Sequence, residues 1–328
     1  MPIVCAAHEL IDSDVYVDLQ PLLGRRMYMK CDGFNFGGSV KMRAAVAMVE
    51  AAERSGRIKD DTVLVESSSG NLGVALSVVA AGRGLRLRCV TDPRCNEASI
   101  KMMRALGTEV VVVEDMHASG GYLRTRKDYI RRLCAQDHRF LWLDQYTNEA
   151  HWKAHYETTA PEIAKQFPEL DVLFVGVGTG GTVMGCARYF RDNDASVRVV
   201  GVDAVGSVTF GLPPATRFIP GLGASDRPPL VDRSLLDDVV HVTEAETVRT
   251  CRMLSRHGYV FGGSTGTVLS GALGWLRRSD PDRRLTAMMI APDMGDRYLD
   301  TIYNDMWVRD HIGDNVLDAV GPEEELIR

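Results

Sequence analysis

The sequence is poor in the features that mark disulfide-bonded, zinc-binding and membrane-spanning proteins. Its seven cysteines are an odd number, are scattered along 328 residues and form no Cys-x-x-Cys pair. This usage favours reduced thiols over a disulfide scaffold or a zinc site. No apolar stretch is long enough to span a membrane, and no basic segment followed by an apolar run begins the chain. We therefore expect a soluble, cytoplasmic protein with no membrane partner.

An excess of basic residues is also missing. The formal net charge is −6, and the acidic and basic residues, which make up 25% of the chain, are interspersed. The arginine-rich segments 124–126 and 131–132 fit solvated helix faces better than a nucleic-acid surface. We expect no nucleic-acid partner.

Two catalytic patterns are absent as well. The chain has no Gly-x-Ser-x-Gly segment, so a hydrolase triad has no support. His151 and His155 would lie on one helix face, but the glutamate of the zinc-protease motif and an obvious third ligand are missing. We expect no metal site.

Apolar strands alternate with helices in two runs, before and after about residue 147. Strands without polar alternation are typical of parallel sheets that helices cover on both faces. The pattern therefore predicts an α/β protein with two domains. The proline- and glycine-rich stretch 211–229 is expected to form a long, functional surface loop. The acidic tail Glu323–Glu325 is expected to fray.

A lysine precedes the first long amphipathic helix, which we predict from Met42 to Glu53 with Ser39 as its N-cap. Lys41 would lie in the first turn, where the positive end of the helix disfavours a further cation. Such a lysine tends towards the neutral amine, which condenses with a carbonyl to a Schiff base. Taken alone, a solvated helix lysine is the more frequent interpretation.

Three turns rich in glycine and hydroxyl groups, each just before a helix, favour a functional lysine instead. They are Ser67-Ser68-Ser69-Gly70-Asn71, Gly178-Thr179-Gly180-Gly181-Thr182 and Gly262-Gly263-Ser264-Thr265-Gly266-Thr267. Free amides at a helix N-terminus bind carboxylate or phosphate groups, and glycines let the backbone approach the anion. Each turn alone also fits an ordinary N-cap or a structural glycine turn.

The second turn leaves a dinucleotide site open as an alternative. Gly176, Gly178 and Gly181 satisfy Gly-x-Gly-x-x-Gly, and Asp203 ends the following strand, where a ribose-binding acid is expected. A nicotinamide-dependent oxidoreductase is therefore possible on this pattern. Against it, such a fingerprint usually opens a domain, and Lys41 would be left without a role.

Together these motifs resemble the fold-type II pyridoxal-phosphate enzymes of the cysteine synthase/cystathionine β-synthase family. The lysine in Gly-Ser-Val-Lys-Met-Arg and the three turns occur in the order and at the approximate spacing of that family. A fifth motif, Pro292–Asp300, resembles the family's C-terminal Gly-acid-Arg-Tyr-Leu segment. The resemblance extends from about residue 15 to 305.

The resemblance implies a fold like that of the tryptophan synthase β-subunit, with two three-layer α/β/α domains and mainly parallel sheets. A smaller, mobile domain would comprise residues 36–147. Residues 1–35 and 148–328 would form a larger domain that binds the cofactor phosphate. By the same analogy, the enzyme would be a homodimer.

The resemblance also implies roles for particular residues. Lys41 would hold pyridoxal 5'-phosphate as a Schiff base and then remove the α-proton of the substrate. The remaining cofactor contacts would be Asn71 at the 3'-oxygen, Gly178, Thr179, Gly180, Gly181 and Thr182 at the phosphate, and Ser264 at the pyridine nitrogen. The substrate carboxylate would be held by Ser67, Ser68, Ser69, Gly70 and Gln145.

Within the family, the chain most resembles the synthases of 2,3-diaminopropionate pathways, which serve siderophore or antibiotic biosynthesis. The segments concerned are 66–73, 145–149, 202–211 and 220–225. Such enzymes perform β-replacement on an activated L-serine through an aminoacrylate, with L-glutamate as nucleophile. Gly178 begins the glycine form of the phosphate loop that is usual in O-acetylserine sulfhydrylases, so O-phosphoserine and O-acetylserine both remain open as donors. A cysteine synthase that uses sulfide is the alternative within the family.

Overall fold

The computed structural model of the chain describes residues 3–11, 14–116 and 121–318. The acidic tail at 323–325 lies outside these ranges. The described strands form two separate sheets, one with six strands and one with four. In these ranges, no helix combines the length and the apolar character needed to cross a lipid bilayer.

The smaller sheet is parallel throughout and has the strand order β5-β4-β3-β6. Its strands are β3 (Val63–Ser67), β4 (Arg86–Thr91), β5 (Glu109–Val112) and β6 (Phe140–Trp142). The helices packed on it are α2 (Lys41–Arg54), α3 (Asn71–Arg83), α4 (Glu97–Ala105) and α5 (Leu123–Gln136). Because side chains alternate across a strand, Leu64 packs towards α2 and α3 while Val65 packs towards α5.

The larger sheet has the order β1-β2-β10-β7-β8-β9, and only its β1–β2 pair is antiparallel among the described strands. Its strands are β1 (Tyr16–Asp18), β2 (Met27–Cys31), β7 (Val172–Gly176), β8 (Arg198–Ala204), β9 (Asp238–Val242) and β10 (Ala287–Ala291). The helices of this unit are α1 (Gln20–Leu23), α6 (Ala150–Ala154), α7 (Ala160–Gln166), α8 (Gly181–Asn193), α9 (Glu244–Arg256), α10 (Gly263–Ser279), α11 (Asp305–His311) and α12 (Asn315–Asp318). A π-helical turn, His155–Thr159, joins α6 to α7, and short 3-10 turns occupy Ala7–Glu9, Arg233–Leu235 and Asp296–Tyr298.

Both faces of the larger sheet are covered. Phe174 and Val200 pack with α9 and α10 on one face, whereas Leu173 and Val199 pack with α8 on the other. The predicted α/β architecture with mainly parallel sheets is therefore confirmed. The domain limits at residues 36–147 remain a prediction, although the strands of the smaller sheet all fall inside them.

Two local predictions are wrong. Helix α2 begins at Lys41 with Val40 as the cap residue, so Ser39 is not its N-cap, although Ser39 Oγ accepts a hydrogen bond from the Lys41 backbone N–H at 3.4 Å. Arg126 does not lie on a solvated face. It is buried because it forms an ion pair with Asp92 (Nε to Oδ2, 3.2 Å).

Candidate active site

An open cavity of about 270 Å³ lies at the carboxyl ends of strands from both sheets. Residues that follow β3, β7 and β10 line it, together with the loop at 217–229. Ligands of open parallel sheets bind in such crevices beyond the carboxyl ends of the strands. The cavity is therefore the candidate active site.

The cavity brings together nearly all of the residues predicted for the site. Its lining includes Lys41, Ser68, Ser69, Gly70, Asn71, Gln145, Gly178, Thr179, Gly180, Gly181, Thr182 and Ser264. Ser67 is the exception, because its side chain is fully buried and does not line the cavity. Its backbone carbonyl accepts a hydrogen bond from Gln145 Nε2 at 2.8 Å, so Ser67 positions Gln145 from behind.

Lys41 is the first residue of α2 and lies against the cavity. Burial lowers the pKa of its ammonium group from 10.5 to about 8, while the negative charge of Asp293 acts in the opposite direction. At pH 7 roughly one tenth of the side chain is thus the neutral amine, a far larger share than for an ordinary lysine. This is the form that reacts with an aldehyde.

The loop between β7 and α8 has the geometry of an anion cradle. Gly180 has φ = 97°, a conformation that residues with a β-carbon rarely adopt. A β-carbon at Gly181 would lie 2.1 Å from Cδ2 of His151, so no side chain fits there. Thr179 Oγ1 is buried with no partner among the described residues. An unpaired hydroxyl at the N-terminus of a 13-residue helix fits a phosphate.

His151 and His155 lie behind this loop and are fully buried. His151 Nδ1 is 2.9 Å from the Gln145 carbonyl, and His155 Nε2 is 3.2 Å from Thr182 Oγ1. Burial and the charge of Lys41 lower the pKa of His151 to about 3, so its ring is neutral. The pair therefore supports the cavity wall, and among the described residues no group of three potential metal ligands is found.

Glu66 is a residue of the site that sequence reasoning did not assign. Its carboxylate is fully buried and accepts hydrogen bonds from the backbone N–H groups of Ser67 (2.8 Å) and Gln145 (3.2 Å). Burial raises its pKa to about 8. The signal in the sequence is an acidic residue that ends the apolar run Val63–Val65. Glu66 ties the serine-rich turn to the Gln145 segment.

Asp203, which the dinucleotide alternative would place at a ribose, is fully buried and does not line the cavity. Its Oδ1 accepts the backbone N–H of Ala204 at 2.8 Å. The residue therefore closes the end of β8 and has no access to a ligand in the cavity.

The groups that do face the cavity fit pyridoxal 5'-phosphate. Lys41 offers an amine with a lowered pKa, the residues 178–182 offer a cradle with an unpaired hydroxyl, and Ser264 offers a buried hydroxyl at the start of α10. Asn71, at the start of α3, offers an amide. The assignment of each group to a particular atom of the cofactor stays a prediction.

Comparisons with known proteins agree with this fit. The family model "Pyridoxal-phosphate dependent enzyme" matches residues 16–291. The N-(2-amino-2-carboxyethyl)-L-glutamate synthase of Cupriavidus metallidurans is 39% identical over 306 residues, 92% of this chain and 90% of the relative. The synthase of the same name from Ralstonia nicotianae is 39% identical over 284 residues, 86% of this chain and 83% of the relative.

Two solved structures share the fold. A hydrogen sulfide-producing enzyme from Fusobacterium nucleatum has a TM-score of 0.84 at 30% identity and covers 90% of this chain and 100% of its own. An O-acetylserine dependent cystathionine β-synthase from Helicobacter pylori has a TM-score of 0.84 at 27% identity and covers 93% of this chain and 100% of its own. The nicotinamide alternative is therefore wrong. The chain belongs to the family of pyridoxal-phosphate dependent enzymes, and its cofactor is pyridoxal 5'-phosphate.

Proposed function

We propose that this enzyme replaces the β-substituent of an activated L-serine with the amino group of L-glutamate and so forms N-(2-amino-2-carboxyethyl)-L-glutamate. The relatives that carry this name are 39% identical to the chain over most of its length. The positive charge of the side chains around the cavity is the observation that favours glutamate over sulfide as the nucleophile.

Cationic side chains outnumber acidic ones around the cavity. The cations are Lys41, Arg94, Arg126, Lys127, Arg217, Arg227 and Arg297, and the acids are Asp92 and Asp226. Both acids are already engaged, because Asp92 pairs with Arg126 at 3.2 Å and Asp226 pairs with Arg124 at 3.0 Å. The side chains that line the cavity therefore carry a surplus of positive charge.

Three of the surplus cations come from different parts of the cavity wall. The Arg94 guanidinium lies 5.3 Å from the centroid of the Tyr122 ring, and Lys127 Nζ lies 3.9 Å from the centroid of the Tyr146 ring. Arg217 is held in the loop at 217–229. Cations held in a partly desolvated cavity favour a polyanionic ligand. L-Glutamate presents two carboxylates to them, whereas sulfide presents none.

The reaction assigns distinct tasks to the residues of the chain. Pyridoxal phosphate supplies the electron sink that allows the donor to lose its α-proton and its β-substituent. The turn at 68–70, at the N-terminus of α3, binds the α-carboxylate of the donor together with Gln145. Lys41 Nζ accepts the α-proton and later returns it.

The bond changes balance without a further reactant. The Cβ–O bond of the donor breaks, and its electron pair leaves with acetate or phosphate. The glutamate nitrogen supplies the electron pair of the new Cβ–N bond and releases one proton. Water must stay out during this exchange, because it would compete with the amine. The ion pair between Arg124 and Asp226 joins the smaller sheet and its helices, the smaller unit, to the loop at 217–229 and suits closure of the cavity.

The test is a comparison of donors and nucleophiles with the purified holoenzyme. O-Phosphoserine and O-acetylserine are each incubated with L-glutamate or with sulfide, and the products are identified by mass. We expect N-(2-amino-2-carboxyethyl)-L-glutamate from one of the two esters and no product with Lys41→Ala. Efficient cysteine formation without any glutamate adduct would support the sulfide alternative and contradict the proposal.

We infer a cytoplasmic homodimer that supplies 2,3-diaminopropionate for a siderophore or an antibiotic. The seven free cysteines support a reducing compartment. Light scattering of the purified protein would test the dimer, since a monomeric mass at micromolar concentration would contradict it.

A further inference from the structure

The side-chain amide of Asn71 is held at both of its ends. Its Nδ2 donates a hydrogen bond to Asp293 Oδ2 at 3.0 Å. Its Oδ1 accepts a hydrogen bond from Arg297 Nη1 at 2.8 Å. Asn71 belongs to the smaller unit and lines the cavity, whereas Asp293 and Arg297 follow β10 of the larger unit.

Asp293 is buried and held by several hydrogen bonds. Its side chain is 1% exposed, and its Oδ2 also accepts a hydrogen bond from the hydroxyl of Tyr298. The backbone around it bonds to the segment that precedes Lys41, since the Val40 N–H donates to the Pro292 carbonyl at 2.7 Å. One short segment therefore locates both Lys41 and Asn71.

Arg297 connects the same segment to three points of the smaller unit. Besides Asn71, its Nη2 donates to the Gly37 carbonyl at 2.6 Å, and its own backbone carbonyl accepts a hydrogen bond from Asn96 Nδ2. Arg297 is 8% exposed. Its position is thus set independently of any ligand.

These contacts permit one orientation of the Asn71 amide. The rotated amide would place its oxygen against the Asp293 carboxylate and its NH₂ group against the Arg297 guanidinium, so both contacts would become repulsive. In the observed orientation, one N–H of Nδ2 is used by Asp293 and the second remains. A ligand at Asn71 therefore meets a hydrogen-bond donor.

We propose that Asp293 and Arg297 are positioning residues that fix Asn71 with an amide N–H directed at the 3'-oxygen of pyridoxal phosphate. They act on the cofactor through Asn71 and do not touch it. A donor at this oxygen favours its ionised, acceptor form. The inference concerns cofactor binding alone and does not depend on which nucleophile the enzyme uses.

A double-mutant cycle tests whether Asp293 acts through Asn71. The cycle uses Asp293→Ala and Asn71→Ala in a Lys41→Ala background, where the cofactor binds without a covalent bond and the charge of Lys41 does not contribute. The dissociation constant for pyridoxal phosphate is measured by titration of the apoprotein. Each single change should weaken binding about tenfold, and the double variant should bind no more than about twofold weaker than Asn71→Ala alone.

The cycle can also contradict the proposal. If the double variant binds pyridoxal phosphate about a hundredfold more weakly than the background, the two effects are independent, Asp293 does not act through Asn71 and the proposal is wrong. Asp300→Ala, an exposed acid in the same segment, is the matched control and should bind as the background does. Should Asp293→Ala fail to fold, Arg297→Lys provides the same cycle, because lysine keeps the charge but cannot hold Gly37 and Asn71 at once.

A spectroscopic readout adds a second criterion. In the otherwise unchanged holoenzyme, Arg297→Lys should shift the visible absorption of the bound cofactor in the same direction as Asn71→Ala does, because both remove the fixed donor. An unchanged spectrum for Arg297→Lys, beside a shifted one for Asn71→Ala, would overturn the role of Arg297.

Discussion

Arg43 and Glu162 meet in two parallel hydrogen bonds, Nη1 to Oε1 at 2.8 Å and Nη2 to Oε2 at 2.7 Å. Lys30 Nζ lies 3.0 Å from the same glutamate and 2.9 Å from Asp32 Oδ1, and Lys30 is fully buried. Arg43 comes two residues after Lys41 in α2. The two cations and two acids therefore fasten the start of that helix, and with it Lys41, to the larger unit.

Removal of one member should leave buried charges without compensation. Arg43→Ala is expected to lower the free energy of unfolding by about 3–5 kcal/mol, as measured by urea denaturation. Arg54→Ala is the matched control. Arg54 is 72% exposed and 3.7 Å from Glu50, so its loss should change stability by less than about 1 kcal/mol. Equal effects of the two substitutions would contradict a structural role of the network.

The lowered pKa of Lys41 predicts the pH dependence of cofactor attachment. The amine is neutral above its pKa of about 8, and only the neutral amine attacks an aldehyde. The rate at which the apoprotein captures pyridoxal phosphate covalently should rise with pH, with a midpoint near 8. Absorbance measured between pH 6 and 10 would follow it. Lys41→Ala should abolish capture and the exposed Lys101→Ala should not, whereas a midpoint like that of free lysine would contradict burial of Lys41.

Glu66 should make the free energy of unfolding fall as pH rises. Its pKa is raised from 4.5 to about 8 by burial, so the folded state keeps a proton that the unfolded state loses. Stability from this group is present below pH 4.5 and is lost as pH rises through 8. Between these two pH values, Glu66 should lower the free energy of unfolding by up to about 1.4 kcal/mol per pH unit, and Glu66→Gln should abolish this decline. Denaturation at several pH values would test this, with the exposed Glu109→Gln as control. An unchanged slope would mean that Glu66 is ionised in the folded protein.

The close approach of His151 to the loop at 178–182 predicts a compensating pair of substitutions. Gly181→Ala would place a β-carbon 2.1 Å from Cδ2 of His151, so the loop must shift, and cofactor affinity should fall at least about tenfold. A second change, His151→Ala, should restore part of that affinity by making room. Gly274→Ala in α10 has its nearest neighbours at 3.7 Å and should not affect binding. Failure of the second change to restore affinity would locate the strain elsewhere.

Arg217 is expected to hold a carboxylate of the nucleophile. Arg217→Ala should raise the KM for L-glutamate about tenfold and leave the KM of the serine ester nearly unchanged. Arg104→Ala, an exposed arginine in α4, is the control. An increase confined to the KM of the ester would show that Arg217 recognises the donor instead and would contradict this assignment.

The strands were largely predictable because short apolar runs that are bounded by turns and separated by helices are typical of buried parallel strands. The apolar run at 62–66 predicts a strand that lies within one residue of β3, and the run at 239–242 predicts a strand within one residue of β9. The sequence indicated a helix at 151–155 but not its continuation through 160–166, since a π-helical turn interrupts the periodicity. The cap at Ser39 was wrong because the chain there bonds to Pro292 and Asp293, far away in sequence.

Within the site, the residues that face the cavity were easier to predict than those that hold them. Lys41, Asn71 and Ser264 stand in motifs with local signatures of glycine and hydroxyl groups. Asp293 reaches Asn71 across 222 positions, and Arg43 reaches Glu162 across 119. No local pattern encodes such partners, because their meeting depends on how the two sheets pack together.

The distribution of the cysteines has a practical consequence for studies of local opening. Cys89 and Cys95 are buried in the smaller unit, Cys31, Cys186 and Cys251 are buried in the larger one, and Cys5 is exposed. A buried thiol reacts with a labelling reagent only when its surroundings open transiently. In a Cys5→Ser background, mass spectrometry of labelled peptides would therefore give the rate of local opening for each half of the molecule separately. The natural chain already contains the buried thiols that this measurement needs, one set in each half.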